Sequence, residues 1–181
     1  MTTAREPRPL QEAAVLAPVF RDGDGVLRIL LLLRTDRGIH GGQLGLPGGR
    51  PEPADEGSFL ATALREAEEE VGLLPSQVEV LAALDPLETM ATGFRVFPFL
   101  GLVPADVDWE PQPDEVVRLL TPAVADLGEA TERRQLPFTS SYFERSIEVE
   151  GIEVEGHVLW GMTLRLLDGL VPRLLAGEWD V

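Results

Sequence analysis

The sequence predicts a single α/β domain on three observations. Strand-length apolar runs are separated by glycine and proline turns, an acid-rich helix is closed by glycine near the middle, and a helical apolar periodicity runs near the C-terminal end. With 181 residues there is material for one core and too little for two comfortable ones. Residues 1–181 are therefore expected to form one unit, with 1–10 as a flexible N-terminal segment.

Taken in order, Ala13 to Phe20 is an apolar stretch of strand length, and Asp22-Gly23-Asp24-Gly25 is a turn. Val26 to Leu33 then reads as one strand buried on both faces, completing a hairpin. A glycine-rich loop from Gly38 to Gly49 follows, in a composition that lets backbone approach a ligand closely. Asp55 or Ser58 caps a helix that runs to about Val71, ended by Gly72 and barred from continuing by Pro75. Val78 to Leu84 is a strand, and Phe94 to Val103 another, broken by Pro98. Phe94, Phe97 and Phe99 within it read as core or dimer packing. Pro104 to Pro113 is acidic loop, Val116 to Leu120 a short strand, and Pro122 to Leu127 a short helix. Ile147 to Glu155 alternates at period two around a turn placed at Gly151, with its glutamates in solvent. Leu159 to Leu175 carries helical periodicity up to Pro172.

Composition excludes whole classes of function. Fifteen basic residues, all arginine, against 31 acids leave a formal charge of −16, which repels nucleic acid and anionic membrane surfaces. The absence of cysteine removes disulfides, thiolate zinc sites, iron–sulfur clusters and thiol nucleophiles. No apolar run approaches the roughly 20 residues of a membrane span, and Arg5 to Pro9 stand where a leader would be apolar, so a cytoplasmic protein is expected.

The chemistry concentrates in Arg65-Glu66-Ala67-Glu68-Glu69-Glu70-Val71-Gly72-Leu73. At about 100° per residue, Glu66, Glu69 and Glu70 share one arc of the helix, beside the apolar stripe of Ala63, Leu64, Ala67 and Val71. Like charges at that spacing cost a few tenths of a kcal/mol, and a cation would offset them. Carboxylates with no histidine or cysteine nearby suit Mg²⁺ or Mn²⁺ and disfavour zinc. A solvated acidic face is the commoner origin of such a run. The glycine loop ahead of it turns the reading toward a ligand site.

Leu46-Pro47-Gly48-Gly49 followed by Arg65-Glu66-x-x-Glu69-Glu70-x-Gly72-Leu73 resembles the signature of the Nudix hydrolases. The interval from Gly49 to Arg65 is longer than the family's usual spacing, and Asp55 or Glu56 stands in for its first glutamate. Leu30 to Arg34, His40-Gly41-Gly42-Gln43 and the Leu46-Pro47-Gly48-Gly49 run are further similar to an element of the coenzyme A pyrophosphatase subfamily. Thr92-Gly93-Phe94, Pro113 to Val116 and Trp160 to Thr163 extend that likeness over most of the chain.

The resemblance implies an α/β/α sandwich with a mixed sheet between helices, and Mg²⁺- or Mn²⁺-dependent hydrolysis of the pyrophosphate in coenzyme A or an acyl derivative. It implies Glu66 and Glu69 as catalytic acids, with Glu66, Glu69, Glu70 and Gly49 at the metal. Substrate contacts would fall to Arg34, Arg37, His40 and Gln43, a further acid to Glu115, and a structural role to Arg65. The partner implied is a small nucleotide substrate, and the resemblance allows a homodimer. Two rivals stand beside this: another nucleoside diphosphate derivative such as ADP-ribose or a dinucleotide, and a catalytically silent binding or regulatory module of the same fold.

Overall fold

The computed structural model describes residues 10–37, 40–89, 93–130, 133–139 and 146–181. The expected flexible segment up to residue 9, Gly38 of the glycine loop and Thr92 of the Thr92-Gly93-Phe94 run lie outside the described residues.

Strand β1, Gln11–Arg21, is the axis of the fold. It pairs antiparallel with β2, Leu27–Ile29, and with β5, Gly48–Gly49, and parallel with β8, Phe94–Leu102. On the far side of β8 lie β6, Glu79–Ala83, and β7, Leu87–Thr89, both antiparallel to it. The sheet is therefore mixed, in the order β2-β1-β8-β6. A second sheet joins β4, Leu44–Gly45, to β3, Leu31–Arg34, and β9, Val116–Leu120. A third joins β10, Arg134–Thr139, to β11, Ser146–Val154, and β12, His157–Trp160.

Alternation along β1 builds two cores. Ala14 and Leu16 face helix α1, Phe59–Val71, and pack with its Ala63, Ala67 and Val71. Ala13, Val15, Ala17 and Val19 face the other way. There they join Leu164, Leu167 and Leu170 of α3, Gly161–Leu175, which packs on α2, Val124–Glu129. Helices thus cover both faces of the sheet, giving the α/β/α layering expected.

Several local expectations change, each for a physical reason. Val26 to Leu33 is two strands: Leu30 passes the chain from the first sheet to the second, and residues 29 to 32 are fully buried on both sides. Pro98 does not break β8, because its carbonyl accepts from Leu84 N across the gap between β6 and β7. In a strand the N–H points to the same side as that carbonyl, so the missing donor faces this gap and leaves the ladder to β1 intact. Gly151 is no turn; it lies within β11 opposite Trp160 and Arg134, where a Cβ would meet the Leu159 carbonyl at 2.6 Å. The reversal falls at Glu155-Gly156, both at positive φ. Leu159 and Trp160 close β12, so the last helix begins only at Gly161, and α2 starts after Pro122. Phe94 lies on the α3 side of β8, whereas Phe97 and Phe99 lie on the α1 side. There Phe97 stacks on Phe59 at 3.7 Å between centroids.

The pairing of β5 with β1 sets the site, and it depends on Gly48. A Cβ there would stand 2.3 Å from the Ala14 carbonyl and 2.7 Å from Val15 Cα, both main chain. Gly48→Ala is expected to cost about 2 kcal/mol or more in urea unfolding; unchanged stability would show that the two strands do not approach as described.

Candidate active site

Helix α1 starts where Ser58 accepts a hydrogen bond from Ala61 N, so Ser58 is its cap. Asp55 instead closes a short 3₁₀ turn, Pro53–Asp55, accepting from Glu52 N at 2.8 Å. Gly72 ends the helix at φ 72°, the left-handed geometry that glycine adopts without cost. Its lack of a side chain also admits the acidic loop, since a Cβ would meet Glu110 Cβ at 2.8 Å. That loop is pinned to the end of α1 by two donors, Glu110 N to Val71 O and Gln112 N to Glu70 O. In this way the chain ahead of β9 is brought beside the helix acids.

The lengthened loop leaves open which acid meets Arg65, and the geometry settles on Asp55. Asp55 is 3% exposed; it accepts from Arg65 Nε at 3.0 Å and from the Thr62 hydroxyl at 2.8 Å. The Arg65 hydrogen bond holds its carboxyl at about 2, below the ordinary 3.8. Arg65 also donates to Glu66 at 3.0 Å, to Glu69 at 2.9 Å and to the Arg50 carbonyl at 3.0 Å. One guanidinium thus ties loop and helix together.

The three helix acids occupy different surroundings. Glu69 is largely exposed and accepts from Arg65. Glu66 lies against Gly49, where a Cβ would fall 2.2 Å from its Oε1, so glycine alone lets this carboxylate touch the strand. Burial pushes the Glu66 carboxyl up to about 7, with Glu70 and Glu69 adding repulsion and Arg65 opposing it. Glu70 is 2% exposed, accepting from Arg34 Nη1 at 2.6 Å and from Gly48 N at 2.9 Å. Its carboxyl is raised by burial against the pull of Arg34, and Glu115, exposed on the neighbouring loop, adds repulsion.

Among the described residues, no group of three or more His, Asp or Glu stands at metal-holding geometry. The donor set nevertheless suits a hard divalent ion: desolvated carboxylates on one helix, beside glycine backbone, with a cation already seated among them as the Arg34 guanidinium.

The remaining sequence expectations are distributed around this centre. Arg34 donates to Glu70 and to the carbonyls of Gly48 and Leu46, all oxygens of the protein itself. Arg37 is exposed, 3.3 Å from Asp114. His40 and Gln43 are joined by a side-chain hydrogen bond, and burial lowers the imidazole, leaving it less prone to charge. Arg50 was not legible as a site residue. Its guanidinium lies 5.2 Å from the centroid of the Phe94 ring, which also meets the His40 ring edge-to-face at 6.2 Å between centroids. Its one sequence signal is its place directly after Gly49. The chain contains no described helix long and apolar enough to cross a membrane.

Comparison with known proteins shows the family. A family model described as NUDIX domain matches residues 10–140. The Uncharacterized Nudix hydrolase NudL of Yersinia pestis is 36% identical over 172 residues, covering 91% of this chain and 80% of that protein. NudL of Shigella flexneri is 42% identical over 116 residues, covering 62% of this chain, and that match spans 57% of the relative's length. Among solved structures, the Nudix hydrolase RenU of M. smegmatis superposes with a TM-score of 0.64 at 14% identity, covering 96% of this chain and 89% of that one. The NUDIX domain of Shewanella oneidensis NrtR, complexed with ADP ribose, superposes with a TM-score of 0.59 at 16% identity, covering 93% and 90%. At those identities the superpositions show the fold.

Two stability measurements check this geometry. Asp55 is depressed in the folded state, so its contribution is present above pH 3.8 and lost as pH falls through about 2. Asp55→Asn is expected to lose about 3 kcal/mol at neutral pH and to flatten the wild type's acid-range decline; an unaltered acid profile would contradict the pairing. Glu66 is raised, so folding binds its proton, and stability falls as pH climbs from 4.5 through about 7. In chelator at pH 8, calorimetry is expected to find Glu66→Gln melting above wild type, and a lower melting point would show that the ionised carboxylate is not strained.

Proposed function

The chain belongs to the Nudix family, and from that premise we propose that it is a divalent-metal-dependent pyrophosphohydrolase acting on coenzyme A or acyl-coenzyme A. The products are 3′,5′-ADP and the phosphopantetheine portion. The observation that carries the reading is the Glu66 carboxylate, desolvated against Gly49 and flanked by Glu70 and Glu69. Such a site is unfavourable by itself and is relieved by a cation.

Glu66, Glu69, Glu70 and the backbone at Gly48 or Gly49 are the groups that would hold Mg²⁺ or Mn²⁺. When bound, the ion neutralises diphosphate charge and lowers the pKa of a water. Of the three acids, Glu66 combines desolvation with partial access, at 15% side-chain exposure. The water's proton passes to one of the helix carboxylates, Glu66 or Glu69. The water oxygen bonds to one phosphorus, and the bridging oxygen leaves with the electron pair. Arg37, exposed in a chain of net charge −16, supplies attraction for the polyanion, with His40 and Gln43 beside it. Glu115, on the loop bonded to the end of α1 and near enough to Glu70 to repel it, is the further acid of this reading.

Hydrolysis of another nucleoside diphosphate derivative is the nearest rival. A silent binding module is favoured by one observation: Arg34 and Arg65 already neutralise the helix acids. A product assay by chromatography separates all three. Coenzyme A is expected to be cleaved more efficiently than ADP-ribose and dinucleotides, and chelator to abolish turnover. Preferred cleavage of ADP-ribose or a dinucleotide would reject the substrate; ligand binding with no product from any compound, metal present, would favour the silent module.

A further inference from the structure

We propose that Arg34 is an exchangeable counter-ion, its guanidinium occupying oxygens that a divalent ion would take, so that metal binding evicts it toward the substrate's phosphates. The inference rests on the metal-facing reading of Glu70.

The geometry is a cation in a shell of hard oxygens. Arg34 ends β3, and its Nη1 lies 2.6 Å from Glu70 Oε1. Its Nη2 donates to the Gly48 carbonyl at 3.2 Å and weakly to the Leu46 carbonyl at 3.5 Å. The second Glu70 oxygen accepts from Gly48 N at 2.9 Å, so both carboxylate oxygens are spent. A carboxylate and a carbonyl shared across one planar fork are a task for arginine and not for lysine.

A divalent ion coordinates such oxygens at about 2.1 Å and cannot share them with a second cation in the same place. The guanidinium has somewhere to go: its side chain is 23% exposed, whereas that of Glu70 is 2% exposed. Arg34 is also near enough to His40 to act on its charge, and its main-chain N–H donates to the Gln43 carbonyl at 3.0 Å, so the His40 and Gln43 loop adjoins it. On leaving Glu70 it is a free cation beside the place where a diphosphate would sit. The competition weakens metal binding to the free protein, and a bound polyanion relieves it by giving Arg34 a new partner. Metal and substrate therefore bind with positive, reciprocal coupling.

The test uses the full chain without substrate. Mn²⁺ titration followed by electron paramagnetic resonance compares wild type, Arg34→Met and Arg34→Lys. Arg34→Met is expected to bind Mn²⁺ about five-fold or more tighter than wild type, with Arg34→Lys between them. In wild type the Arg34 Nε–H resonance, identified by its absence from Arg34→Lys, is expected to move on saturation with Mg²⁺. The nuclear resonance measurement decides the matter should the variants fold poorly. Equal or weaker Mn²⁺ binding by a folded Arg34→Met, or an unmoved Arg34 signal in Mg²⁺-bound wild type, overturns the exchange. Failure of all three proteins to bind Mn²⁺ overturns the metal reading of α1, and the exchange with it, whereas equal binding by all three removes only the role of Arg34.

Discussion

Two arginines hold together a helix that would otherwise carry its acids at a loss. Glu66 and Glu70 turn from solvent toward the β5 backbone, and burial outweighs every favourable contact in setting their charge, since both carboxyls stay raised. Arg65 gathers Asp55, Glu66 and Glu69 from one side, and Arg34 grips Glu70 from the other. Removing one partner from such a buried pair leaves an unpaired buried charge, which is strongly destabilising. Elsewhere pairs such as Arg95 with Glu88, both near half exposed, contribute about 1 kcal/mol or less.

The fold supplies this arrangement through close backbone approach. The edge pairing of β5 with β1 needs no side chain at Gly48, and the seat of Glu66 needs none at Gly49. At the other end of α1, Gly72 leaves room for the acidic loop, whose amides satisfy carbonyls that the helix end leaves unpaired. Three glycines thus decide what the helix acids face. The apolar contacts of Ala63, Ala67 and Val71 with β1 fix the rotation of the helix about its axis.

Much of this was legible in the chain. The arc of acids, the Gly72 terminator and strand β9 follow from local spacing, and local spacing is what decides them. The points that were not legible depend on partners distant in sequence. Pro98 is tolerated because of a gap between two other strands, and Gly151 stays extended because Trp160 lies opposite. The contact of Arg34 with Glu70, 36 residues away, has no signal in local spacing. Arg50 acquires meaning only from the Phe94 ring. The competition between Asp55 and Glu56 for Arg65 required the path of a loop longer than its family's norm.

The central claim is that the oxygens facing β5 from α1 are built to receive a hard divalent ion. The most direct measurement is anomalous diffraction from a crystal soaked in manganese. The account predicts one strong peak at ligand distance from Glu66 or Glu70 and the adjoining glycine carbonyl, with the Arg34 side chain displaced. No peak beside α1, or peaks confined to the exposed glutamates of β11, would contradict it.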